Sequence, residues 1–120
     1  MILADTSVWV DHLRKGDVAL VRQLKNNLIL GHPFVAGELA LGNLSNRSEI
    51  LFLIDRLPRA LAATDAEVHE LIEKRRLMGR GIGLVDVHLL ASTLLSPSAK
   101  LWTRDKKLHQ LAIELEVAYN

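Results

Sequence analysis

The sequence predicts an α/β protein, a single three-layer α/β/α domain with a mainly parallel central sheet. Three observations carry that expectation. Short apolar runs alternate with longer amphipathic patterns along the whole chain, as strands alternate with helices in βαβ units. The runs are continuously apolar, as strands covered on both faces require. The length, 120 residues, suits one core better than two, so residues 1–120 are expected to form one domain.

The elements follow in order. Met1 to Ala4 is a brief apolar run and reads as a buried strand ending at Asp5. Thr6 or Ser7 can cap a helix over residues 8–15, which Gly16 stops, and Asp17 can cap a second helix carrying Val18, Val21 and Leu24. Residues 28–31 form the next strand, with Pro33 placed for a first helical turn. Residues 34–43 are apolar apart from Glu38 and read as a buried helix. Ser45 or Asn46 caps a helix in which residues 50–54 are all apolar, more than one face can bury, so a partner surface is expected there. A short strand over 61–63 precedes an amphipathic helix over 65–78 and a glycine-rich loop, Gly79 to Gly83. Asp86 opens a helix over 87–95 that Ser96-Pro97 ends. A strand over 100–103, a helix over 105–115 and a last strand over 117–119 complete the chain.

Composition narrows the function. Lys and Arg number 15 against 14 Asp and Glu, so the net charge of +1 gives no global attraction to nucleic acid or membrane, and local patches must supply it. Cysteine is absent, which removes disulfides, thiolate metal sites and thiol nucleophiles and suits a reducing cytoplasm. The only aromatic rings besides histidine are Trp9, Phe34, Phe52, Trp102 and Tyr119, too few for a stacking platform. No apolar run is long enough for a membrane span, and the N-terminus, which meets Asp5 at once, does not read as a signal peptide.

Four carboxylates stand at unusual addresses. Asp5 ends a buried strand, and ligands of open parallel sheets gather beyond such ends. Asp105 has the equivalent address after the strand at 100–103. Asp86 begins a largely apolar helix, and Glu38 is the only charge between His32 and Arg47, where an ionised group is costly unless paired or metal-bound. Each has a plain alternative: Asp86 and Asp105 as ordinary helix caps, Asp5 as a loop anchor, Glu38 turned outward. Together, converging carboxylates call for a cation, and an all-oxygen set suits Mg²⁺ or Mn²⁺ rather than zinc.

Ala4-Asp5-Thr6-Ser7 after the first strand, Glu38, Asp86 and Thr103-Arg104-Asp105 after a late strand resemble the PIN-domain ribonucleases, and the small chain resembles their VapC-type toxins. The resemblance covers nearly the whole chain and implies a PIN-like nuclease domain, an Mg²⁺-dependent endoribonuclease acting as the toxin of a toxin–antitoxin pair. It implies that Asp5, Glu38, Asp86 and Asp105 form the metal-binding catalytic pocket, with Thr6, Ser7 and Thr103 orienting the carboxylates. A homodimer and a VapB-like antitoxin are the partners it implies.

Eight of the 15 basic residues flank two of these acids in sequence, and Arg76, Arg80, Arg104, Lys106 and Lys107 are the candidates for an RNA-binding rim. The glycine loop lacks the Gly-Lys-Ser/Thr ending of a P-loop and is given no phosphate-cradling role. None of the five histidines is paired at i, i+4 for a metal, and His88 reads as packing, which disfavours a histidine-based nuclease. A phosphoaspartyl enzyme is disfavoured because residue 7 is Ser where Asp-x-Asp is needed; a non-catalytic RNA- or protein-binding module is the main alternative.

Overall fold

β1 (Ile2–Ala4) is the axis of the fold in the computed structural model, which describes all residues 1–120. It pairs in parallel with β2 (Ile29–Leu30) on one side and β3 (Lys100–Trp102) on the other, giving a sheet ordered β2-β1-β3. Ile2 aligns with Ile29 and Lys100, and Ala4 with Trp102. Successive strand residues face opposite sides, and all three residues of β1 are buried, so both faces of the sheet are covered. Seven helices supply the cover: α1 (Thr6–Lys15), α2 (Val18–Lys25), α3 (Pro33–Leu41), α4 (Arg47–Asp55), α5 (Asp65–Arg75), α6 (Leu84–Leu95) and α7 (Lys106–Glu114). The expected α/β class with a parallel sheet is the one found. One cluster of 23 buried apolar residues forms the core, and Trp9 is its only aromatic ring. No helix is long and apolar enough to cross a membrane.

Several local expectations need correction. The strand expected over 61–63 is irregular backbone. Pairing is confined to one bridge between Gly31 and Arg59, just ahead of that run, and the Leu61 N–H goes to Ser96 Oγ instead (2.9 Å). The last strand is likewise a single bridge, Ala118 to Leu101, held by Leu101 N–H to Val117 O (2.7 Å) and Tyr119 N–H to Leu101 O (2.9 Å). α5 stops at Arg75, since Arg76 turns into the left-handed region (φ 54°). α3 is buried on one side only, through Val35 and Leu39, and Glu38 lies on its exposed side. α4 buries Ile54 and leaves Phe52 (61%) and Leu53 (60%) exposed, so the apolar run at 50–54 does wrap beyond the core-facing side.

Candidate active site

Strand order decides where a site forms. The connection from β1 to β2 leaves to one side, and the next strand of the sheet, β3, returns to the other side of β1. The crevice beyond the carboxyl ends of β1 and β3 is therefore the expected ligand position. Asp5 follows β1 directly and Asp105 lies just beyond β3.

Asp5 is 6% exposed and caps α1. Its Oδ1 accepts the Thr6 N–H (2.7 Å), and its Oδ2 accepts both the Ser7 hydroxyl (2.9 Å) and the Thr103 hydroxyl (2.7 Å). A carboxylate offers about four lone pairs, so the side chain is fixed from three sides with roughly one acceptor direction left. Thr103 Oγ1 in turn accepts the Asp105 N–H (3.1 Å), tying the ends of the two strands together. The Thr6 hydroxyl turns the other way and donates to Glu38 Oε1 (2.6 Å), which brings α3 to the same edge. Asp105 caps α7 through Oδ1 to Leu108 N–H (2.9 Å).

Asp86 does not open its helix. Gly83 is the cap and has no side chain to serve, so Asp86, in the first turn of α6, reaches back with Oδ2 to the Gly83 N–H (3.2 Å). Burial pushes its carboxyl above the usual range, the Gly83 N–H partly opposes that, and the charges of Asp5, Asp105 and Glu38 push it further up. Asp86 thus feels all three other acids. The four carboxylates come from four separate elements and form one electrostatic neighbourhood, although no three of them converge at coordinating distance. Hard oxygen donors, three shared hydroxyls and a half-buried acid whose charge is disfavoured by its neighbours fit a hard divalent cation.

Comparison with known proteins gives the family. Over 118 residues the chain is 47% identical to ribonuclease VapC32 of Mycobacterium tuberculosis, from strains CDC 1551 / Oshkosh and ATCC 25618 / H37Rv, spanning 98% of this chain and 95% of that protein. The chain belongs to the VapC ribonuclease family. No protein-family model matches it, and no solved structure does.

Around the acids of this VapC-family protein, the sequence-predicted bases separate. Arg80, Lys106 and Lys107, joined by Gln110, line one cleft. Arg76 caps the end of α5 and is not part of it. Arg104 turns toward α1 and α2, where its guanidinium meets Asp11 (3.2 Å) and Asp17, and its N–H donates to Ser7 Oγ (3.1 Å). Asp17 is held below the usual carboxylate range, first by the Leu20 N–H it caps and then, against some burial, by Arg104. The β3–α7 turn carrying Thr103 and Asp105 is thereby strapped to α1. Nothing in the spacing of Asp11 or Asp17 signals this strap.

His32 is a second residue that sequence reasoning missed. Its Nδ1 accepts the Phe34 N–H (3.0 Å) and caps α3, so the ring proton sits on Nε2, 2.9 Å from Ser92 Oγ on α6. The histidine joins the helices that carry Glu38 and Asp86. The position before Pro33 was the available signal. His88 packs edge-on against Phe34 (4.7 Å), the packing role expected for it.

Proposed function

We propose that this protein is an Mg²⁺-dependent endoribonuclease (Mn²⁺ being an alternative ion), over a PIN-like domain spanning 1–120, and the toxin of a toxin–antitoxin pair. The observation that carries the reading is the linkage of acids at the carboxyl edge of a parallel sheet: Thr103 bonds both Asp5 and the Asp105 N–H, Thr6 bonds Glu38, and the Asp86 carboxyl is raised first by burial and then by the charges of Asp5, Asp105 and Glu38. Kinship with ribonuclease VapC32 supports RNA as the substrate.

Asp5 and Asp86 are the residues that would hold the cation most directly, with Glu38 and Asp105 completing the set. When bound, the ion would supply an activated water and offset charge on the phosphate oxygens. The protein's own part is positional. Thr6 N–H, Ser7 and Thr103 fix the Asp5 carboxylate, Thr6 aims Glu38 and the Gly83 N–H aims Asp86, so that little reorganisation is needed when substrate arrives. Hydrolysis by water leaves a 5′-phosphate and a 3′-hydroxyl and makes no use of the RNA 2′-hydroxyl. His32 is occupied in capping and His88 in packing, which disfavours that alternative chemistry for these two.

An apolar groove of about 300 Å³ between α1, α2 and α4, lined by Trp9, Leu13, Leu24, Ile50 and Leu53 among others, supports a VapB-like antitoxin as partner. Exposed Phe52 and Leu53 support a homodimer; a monomeric mass in solution at micromolar concentration refutes the dimer. An RNA substrate supports action in the cytoplasm.

Cleavage of end-labelled single-stranded RNA tests the activity. Mg²⁺ is expected to support it, EDTA to stop it, and Asp5→Asn or Asp86→Asn to lower it by at least about 100-fold, because orienting partners alone are worth 10- to 100-fold in metal sites. Undiminished cleavage by both variants in metal-controlled buffer overturns the site. A folded protein that binds RNA and cleaves none is a binding module instead.

A further inference from the structure

The cleft lined by Arg80, Lys106, Lys107 and Gln110, about 220 Å³, contains no carboxylate and no apolar side chain. None of the four site acids lines it, yet it adjoins them along the chain. Lys106 and Lys107 directly follow Asp105, and Arg80 precedes Gly83, whose N–H holds Asp86. Arg80 is fixed in place by a two-pronged contact with Glu114 (2.7 and 3.3 Å). Lys106 and Lys107 have no carboxylate partner.

Two further features bear on what this cluster could hold. Lys106 and Lys107 occupy the first turn of α7, where the helix's positive end disfavours cations, so their placement works against the helix in the free protein. Lys107 also lies across Gly81: a Cβ there would meet its Nζ at 2.7 Å and its Cδ at 3.0 Å. The positive φ of Gly81 (78°) and its missing side chain let the loop pass beneath the lysine, which stays over the cleft. Gly81 thus acts through the space it leaves.

We propose that this cleft seats a backbone phosphate of the RNA adjoining the scissile one, which itself belongs to the acid cluster. The inference rests on the ribonuclease reading and locates on the protein the first contact that aligns the strand. Such a seat reads charge, not base identity, so it serves any sequence.

The test is fluorescence anisotropy with a labelled mixed-sequence 12-nucleotide RNA in EDTA, over a series of salt concentrations, for wild type and Lys106→Gln/Lys107→Gln. The control is Lys15→Gln/Lys25→Gln. It makes the same charge change away from the cleft, at the ends of α1 and of α2. The seat variant is expected to bind roughly tenfold more weakly and to lose about 0.7 from its logarithmic salt slope for each phosphate contact removed. Its melting temperature should equal or exceed wild type, since two cations leave a helix's positive end. Equal losses in the control, or unchanged binding in the seat variant, overturn the seat and leave the ribonuclease reading to the cleavage assay. Wild type that fails to bind the RNA at low salt also overturns it, because these side chains need no cation to act.

Discussion

Thr103→Val is the most informative single change, because one buried hydroxyl serves both strand ends. In the native protein Thr103 Oγ1 donates to Asp5 Oδ2 at 2.7 Å and accepts from the Asp105 N–H at 3.1 Å. Valine keeps the shape and removes both bonds. A hydrogen bond to a charged acceptor contributes about 1.5–3 kcal/mol and a neutral one about 0.5–1.5 kcal/mol. The expected loss is therefore about 2–4 kcal/mol, or roughly 8–16 °C in melting temperature for a chain of this length. Thr103→Ser, which keeps the hydroxyl and loses one methyl, should lose about 1 kcal/mol. Urea unfolding in EDTA, with an unchanged m-value, measures the difference without any contribution from bound cation. The reasoning fails if valine is within 0.5 kcal/mol of wild type on the scale where such bonds count, or if serine is as damaging as valine. A second consequence is functional: with Asp5 held on two sides instead of three, Mg²⁺ affinity should fall 10- to 100-fold.

Two other predictions concern pH. His32 is buried and its pKa is lowered to about 4, first by burial and then by the nearby charges of His88 and Arg59. The unfolded chain takes up this proton before the folded one, so stability is complete above the ordinary histidine value of 6.5 and is lost as pH falls toward 4, about 3 kcal/mol in all. His32→Asn, which keeps a capping side chain, should flatten the fall in urea midpoint between pH 7.5 and 5, a range in which about 2 kcal/mol is at stake; an identical slope in the variant would falsify the assignment. Asp86 has the opposite sign. Its raised carboxyl means that the folded state binds the proton more readily, so its charge destabilises the fold as pH rises past the ordinary aspartate value of 3.8. In EDTA at neutral pH, Asp86→Asn should melt above wild type, the gap closing in acid, while cleavage is lost; a variant that melts lower at neutral pH contradicts this.

What the sequence disclosed, and what it hid, divides along physical lines. Asp5 and Asp105 were legible because a buried strand ending in an acid is a local pattern whose meaning follows from sheet topology. Asp86 stood out as a candidate but was misplaced by one turn, since a glycine cap leaves no side chain to mark the true helix start. Glu38 was found by its isolation among apolar residues, yet the reason was different: α3 is short and half-exposed, and its composition says nothing about which side faces out. The strand at 61–63 gave way to one bridge at Arg59 because the Leu61 N–H goes to Ser96 Oγ, and that at 117–119 to one bridge at Ala118. The contacts of Arg104 with Asp11 and Asp17, and of His32 with Ser92, join residues 60 or more positions apart, and no local pattern encodes them.

Three of the four site acids share one habit: each has an oxygen on the backbone N–H of a helix start, Asp5 on Thr6, Asp86 on Gly83 and Asp105 on Leu108. Those amides exchange with solvent only when a first turn opens and the acid lets go. Occupancy of the site and fraying of α1, α6 and α7 are then a single equilibrium seen from two ends. Hydrogen exchange at Thr6, Gly83 and Leu108 should slow together when Mg²⁺ is added, faster amides in the same turns serving as the reference. The pocket's readiness is thus written in three amide protons that touch neither ion nor RNA.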